Sequence, residues 1–223
     1  FLMKHTYQTV DKIILQTKEM HDEFVSWMGC DKSKCIVIPN PIDKEQIDAN
    51  IAMSETPYDH NYVNYVFVGR IVYVKGVDVL IKSFAEIVNT IPNARLYIVG
   101  KIEEQEYYTD LLQIIRERKL DDSVIFVGFT SNPHRYIKWA NCFVLPSRVE
   151  GMPNVVLDAI YLRTPIVVCR SVPVIDEMVT PDHGIVVPVD DVEAMSLAMV
   201  GVLNIHVGEA SACTSGELVK QVF

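Results

Sequence analysis

Short, almost wholly apolar runs recur along most of this chain, each followed by a stretch with helical apolar spacing. That alternation limits the fold more than any other feature. YVNYVFVG (62–69), ARLYIVG (94–100), SVIFVG (123–128), CFVLP (142–146), PIVVC (165–169) and GIVVPV (184–189) read as strands. Between them lie VDVLIKSFAEIVNT (77–90), with Val77, Leu80, Ile81, Phe84 and Val88 at helical spacing, and EQEYYTDLLQIIRERK (104–119). A short helix near 132–139, a helix from about Pro153 to Leu162, a helical turn near 175–179 and a last helix over 191–203 complete the series. Strands without polar alternation must be covered on both faces, which requires a parallel sheet with helices on either side. Right-handed crossovers then make the expected fold class α/β, a doubly wound parallel sheet.

The first sixty residues are less regular. DKIILQT (11–17) reads as a strand, KEMHDEFVSWM (18–28) as a helix and CIVIP (35–39) as a strand that NPID interrupts. Residues 44–61 are polar, follow neither period, and read as an irregular connection between domains. The expected division is therefore a piece of a preceding domain over 1–43, the connection over 44–61, the main domain over 62–203 and a tail over 204–223. With 223 residues and 49% hydrophobic residues, the chain has enough apolar material for a filled core. No apolar run approaches the ~20 residues of a membrane span, so no transmembrane segment is expected. The net charge of −9, without a cluster of Lys and Arg, argues against nucleic acid as a partner. Five cysteines at irregular spacings suit reduced, buried thiols, and Cys30 and Cys35 lack the second pair a zinc site needs.

In open parallel sheets, ligands bind beyond the carboxyl ends of the strands. Two of those turns carry chemistry. In FVGRIVYVKGVDVL, Gly69 lets a ligand approach the backbone, and Arg70 and Lys75 offer two cations beside the start of the next helix. This is neither a Walker loop nor GxGxxG. In SRVEGMPNVVLDA, Gly151 permits a tight entry, and Pro153 as first helical residue leaves the amides of Asn154 and Val155 facing outward. Asp158, three residues beyond Val155, lies on nearly the same helix face and suits a pair of vicinal hydroxyls such as a ribose presents. Glu150 precedes the helix and is placed to face the far side of a phosphate. The six histidines (His5, His21, His60, His134, His183, His206) have no motif around them and read as surface or turn residues.

Together, Gly69-Arg70 with Lys75-Gly76, PSRVEGMPNVVLDA and TPIVV resemble the C-terminal domain of retaining glycosyltransferases of family 4, whose GT-B fold sets two Rossmann-like domains face to face. The resemblance runs from about Tyr62 to Leu203, and IPNPID (38–43) resembles the family's crossover between domains. It implies that 10–43 is the last strand, helix and strand of an N-terminal domain otherwise missing, and that the chain is truncated at both ends. It assigns Arg70 and Lys75 to the donor phosphates, Glu150 to the donor sugar, Asp158 to the ribose, and the amides from Gly151 through Met152 to Val155 to the phosphate-facing helix start. Phe129 and Thr130 fall where the nucleobase lies. Asp158 stands where the family has Glu, one methylene longer. The implied donor is a nucleoside-diphosphate sugar, UDP- or GDP-linked, with no cofactor and no metal. The implied acceptor is a glycan or a lipid-linked glycan brought by the missing domain, in the cytoplasm or at the inner face of the membrane. Transfer by this chain alone is not expected. A non-catalytic nucleotide-binding module is the alternative, since it would use the same residues.

Overall fold

The computed structural model describes residues 6, 7 and 9–205. Most of the expected tail, with His206 and Cys213, lies outside them, as does His5. The first described strands, β1 (Ile13–Leu15) and β2 (Cys35–Val37), form a small parallel sheet of their own, with helix α1 (Lys18–Met28) between them. Thr17 starts α1 by accepting a hydrogen bond from the Met20 amide, and Gly29 ends it at φ 64°, where a residue without Cβ is favoured.

Residues 44–61 differ from the expectation. Helix α2 (Lys44–Ala52) occupies the first half, capped by the Asp43 side chain. It hides from a periodicity reading because it buries only Ile47 and is otherwise held by polar contacts. The Asn132 side chain donates to the Asn50 carbonyl at 3.0 Å, and the Tyr58 hydroxyl donates to the Tyr136 carbonyl at 2.6 Å. Ile47 and Tyr58 join the main hydrophobic core, so the segment packs against the large domain.

That large sheet has six parallel strands: β3 (Val63–Val68), β4 (Ala94–Val99), β5 (Val124–Gly128), β6 (Cys142–Leu145), β7 (Ile166–Cys169) and β8 (Gly184–Val187). Their order is β5-β4-β3-β6-β7-β8. Every strand expected between 62 and 189 is present. Tyr65, Val66 and Phe67 on β3, and Phe143 and Val144 on β6, are fully buried, as residues covered on both faces must be. Among the covering helices, α3 (Val77–Thr90) buries Val77, Leu80, Ile81 and Phe84, and α4 (Gln105–Glu117) buries Tyr107, Leu111 and Ile115. The shorter helices α5 (His134–Lys138), α6 (Asn154–Tyr161) and α7 (Val174–Met178) follow β5, β6 and β7. The last helix, α8 (Val192–Gly201), starts on the Asp191 side chain and is tied to β3 by the Tyr65 hydroxyl, which donates to the Met199 carbonyl.

The strand order decides where a ligand can sit. From β3 the chain builds outward through β4 to β5, then returns to the other side of β3 and builds outward again from β6. The loops leaving β3 and β6 therefore diverge and open a crevice between neighbouring strands, the topological switch point of an open α/β sheet. Both loops singled out in the sequence leave the sheet there.

Four of the five cysteines are described, and all four are free. Cys142 and Cys169 are buried in the sheet, whereas Cys30 and Cys35 are only half-buried, with their sulfurs 3.5 Å apart.

Candidate functional site

The loop leaving β3 runs through Gly69 and Arg70 to a single 3-10 turn, Tyr73–Lys75, and enters α3 at Gly76. Gly76 has φ 66°, and a Cβ there would overlap the carbonyl oxygen of Pro146, so the two loops touch backbone to backbone. Arg148, from the β6 loop, fixes that contact. Its amide donates to the Val74 carbonyl at 2.8 Å. Its guanidinium donates to the Tyr73 carbonyl at 2.7 Å, forks onto Asp78 at 2.9 and 3.0 Å, and faces Asp190 at 2.8 Å. The same group lies 4.1 Å above the Tyr73 ring. This planar, five-donor fork staples the start of α3 to the β6 loop in a way a lysine does not reproduce.

Asp78 is the acceptor of that staple and also takes a 2.7 Å hydrogen bond from the Tyr107 hydroxyl. Burial by itself would push its carboxyl up, but the Arg148 fork and Tyr107 hold it down at about 2, against an ordinary 3.8. A depressed carboxyl stabilises the fold above its ordinary value, and that contribution fades as pH falls through the folded one. Asp78→Asn should therefore lose stability at pH 5 and converge on the parent as pH approaches 2. Urea unfolding at several pH values checks this, and a gap independent of pH would overturn it.

With the loops pinned, Lys75 and Glu150 meet. Lys75 Nζ lies 2.5 Å from Glu150 Oε1, and the buried Ser147 hydroxyl donates to the same oxygen at 2.6 Å. Their side chains are only 18% and 10% exposed, so the pair forms a largely desolvated charge contact at the mouth of the crevice. Helix α6 opens beside it. Pro153, expected as the first helical residue, has ψ 92° and is the cap instead, and α6 begins at Asn154. The shift does not alter the chemistry, because the first amides of a helix have no partner within it.

Two recesses share the floor made by Val68, Gly69, Arg70 and Pro133. The larger, 430 Å³, is walled by Lys75, Glu150, Met152, Asn154, Val155 and Asp158. The smaller, 290 Å³, includes Gly100, Glu103, Phe129 and Thr130, with the Phe129 side chain largely exposed. The structure thus brings together all but one of the residues singled out in the sequence. Gly151 lies against Met20 of α1 instead of on the cavity wall, where any added Cβ would meet the Met20 methyl group.

Both cations offered by the sequence already hold a carboxylate. Arg70 reaches Glu103 at 3.0 Å while Lys75 holds Glu150, so an incoming anion competes with a carboxylate at each. Sequence reasoning also missed Ser147 and Arg148, although both lie inside the stretch SRVEGMPNVVLDA, because their partners Glu150 and Asp78 are defined only by the fold. His134 was read as a surface or turn residue. Its side chain is 13% exposed, with Nε2 3.7 Å from Asp158 Oδ2. His183, read the same way, is buried beside Thr180.

From the other side, the Asn40 side chain donates to Asn154 Oδ1 at 2.7 Å, and its amide lies 3.4 Å from the Met152 sulfur. The segment after β2 therefore buttresses the start of α6. Among the described residues no helix is long and apolar enough to cross a membrane, and no group of three or more His, Cys, Asp or Glu is placed to hold a metal ion.

Comparison with known proteins places this architecture. A family model described as glycosyl transferases group 1 matches residues 49–210. A glycosyltransferase of Methanocaldococcus jannaschii, itself uncharacterized, is 31% identical over 191 residues, covering 82% of this chain and 45% of its own. The capsular polysaccharide biosynthesis glycosyltransferase CapM of Staphylococcus aureus is 28% identical over 164 residues, covering 73% of this chain and 42% of its own. In structure, Anabaena HepE, solved in complex with UDP-glucose, superposes with a TM-score of 0.77 at 16% identity over 99% of this chain and 64% of its own. At that identity the likeness shows the fold alone, a GT-B Rossmann-like half. The chain spans about half the length of the curated relatives it matches.

Proposed function

The chain belongs to the glycosyl transferases group 1, and from that premise we propose that it is the donor-binding half of a retaining enzyme of family 4. The intact enzyme moves a sugar from a nucleoside-diphosphate sugar to an acceptor hydroxyl in glycan or cell-envelope polysaccharide synthesis. One observation carries the reading: Lys75 and Glu150 in contact at the open start of α6, with Asp158 one turn further along the same cavity.

In this reading the diphosphate lies across the start of α6 and displaces Glu150 from Lys75. As the bond from the sugar to the diphosphate breaks, negative charge grows on the departing oxygen. Lys75, Arg70 and the amides at Asn154 and Val155 are already arranged to meet it, so little reorganisation is left for the reaction itself. Two side-chain cations and a helix start supply that complement, and the proposal includes no metal ion. Glu150, released from Lys75 but still held by Ser147, orients the sugar. Asp158 accepts hydrogen bonds from the ribose hydroxyls, and the base lies in the smaller recess along Phe129 and Thr130. Retention follows if the acceptor hydroxyl attacks from the face the diphosphate leaves. Holding that hydroxyl in place is the work of a facing domain, without which proximity is lost. The reading places the enzyme in the cytoplasm, or at the inner face of the membrane for a lipid-linked acceptor.

Calorimetric titration of UDP, GDP and ADP into the purified protein tests the donor site. Saturable binding of one of them is expected and would name the base. Failure of all three to bind a folded protein would sink the reading.

A further inference from the structure

Asp158 is the one acid of the larger cavity that no protein donor hydrogen-bonds among the described residues. The polar atom turned toward it is His134 Nε2, 3.7 Å from Oδ2. That is beyond a hydrogen bond, yet close enough for an N–H dipole to bias how the carboxylate turns while leaving its acceptor sites open.

The ring is held from behind. His134 Nδ1 lies 3.1 Å from the Asn50 side-chain nitrogen on α2. An amide nitrogen only donates, so Nδ1 accepts and the ring proton sits on Nε2, facing Asp158. The α2 backbone that carries Asn50 is tied to α5 in turn, because Asn132 donates to the Asn50 main-chain carbonyl at 3.0 Å and caps α5 by accepting from the Arg135 amide at 3.3 Å. Three charges on α2 and α5 are engaged elsewhere. Asp48 takes the Tyr161 hydroxyl at 2.9 Å, Lys138 reaches the Leu162 carbonyl at 3.3 Å, and Arg135 lies over the Tyr136 ring. Asp158 is the charge that His134 addresses.

We propose that Asn50 and His134 act as a positioning pair that sets the Asp158 carboxylate for a vicinal diol, so that the site selects ribonucleotides over 2′-deoxyribonucleotides through side chains that touch neither. This rests on the donor-site reading above and adds to it a determinant of sugar selectivity on the nucleotide. It also gives α2, outside the six-stranded sheet, a part in the site.

The test is titration of UDP against 2′-deoxy-UDP, and of GDP against 2′-deoxy-GDP, using the pair that binds. The parent protein should prefer the ribonucleotide about tenfold, the scale of one hydrogen bond to a charged group. His134→Leu and Asn50→Leu should cut that preference below about threefold, mainly by weakening the ribonucleotide. His134→Gln, whose amide nitrogen takes the place of Nε2, should restore it. A purely structural role would weaken both nucleotides alike and keep their ratio, which overturns the inference. Equal affinities in the parent overturn it too, while leaving the donor site standing. No binding of either pair by the folded parent removes the donor site and this inference with it. If His134→Leu does not fold, the Asn50→Leu and His134→Gln arms decide the question.

Discussion

Lys75→Ala should lose nucleotide binding and stability together, and a second substitution should return only the stability. The binding loss expected from one charged hydrogen-bond partner is about 1.5–3 kcal/mol, roughly 10- to 150-fold in affinity. The stability loss has a separate origin. Removing Lys75 leaves the Glu150 carboxylate, 10% exposed, with Ser147 as its remaining partner. Breaking a buried ion pair by deleting one member costs about 3–5 kcal/mol. Here the pair borders an open cavity, so water relieves part of that cost and about 2–3 kcal/mol is expected. Lys75→Ala combined with Glu150→Ala removes both charges and should recover most of the stability without recovering affinity. Urea unfolding and calorimetry on the three variants check this. If the double variant binds nucleotide as the parent does, Lys75 is a structural cation and the donor-phosphate assignment fails.

Gly76→Ala should be among the most damaging single-methyl changes near the site. The residue sits at φ 66°, where an L side chain costs about 1 kcal/mol or more. The added Cβ would also run into the Pro146 carbonyl oxygen, a backbone atom that cannot rotate aside. Relieving that overlap moves the β6 loop away from α3 and strains the Arg148 fork on Asp78, as overpacking in a tight region does, for about 1–3 kcal/mol more. A total of about 2–4 kcal/mol is expected from the urea midpoint. Gly29→Ala is the internal control. Gly29 has φ 64° at the end of α1, and nothing lies within 4 Å of the added carbon, so only the conformational part should appear. Equal losses at the two positions would show that the close approach at Gly76 contributes nothing.

The six strands and their parallel pairing were legible because each is a local, predominantly apolar run, as a strand covered on both faces requires. CFVL carries that requirement in every residue, and VNYVFV in all its buried residues but Asn64. Gly69, Arg70, Lys75, Glu150 and Asp158 were singled out from the sequence for a related reason, and the fold sets all five around one cavity. The first four lie in loops that leave strand ends, and Asp158 lies in the helix that one of those loops opens, on the side of the sheet where ligands bind. Helix α2 was not legible, since one buried isoleucine and a set of side-chain hydrogen bonds leave no period to read. The role of Pro153 was off by one residue because proline is acceptable on either side of a helix boundary.

What the sequence determined by itself was the layered α/β fold and the chemical inventory of two loops, since both depend on residue types and short spacings. Only the tertiary structure decided which charges face one another. Lys75 and Glu150 lie seventy-five positions apart, Arg148 and Asp78 seventy, and His134 and Asn50 eighty-four. Contacts at such separations follow from strand order and crossover, which bring chain-distant loops to one crevice. A local pattern carries no record of them, because each partner's own neighbourhood would read the same if the other were absent.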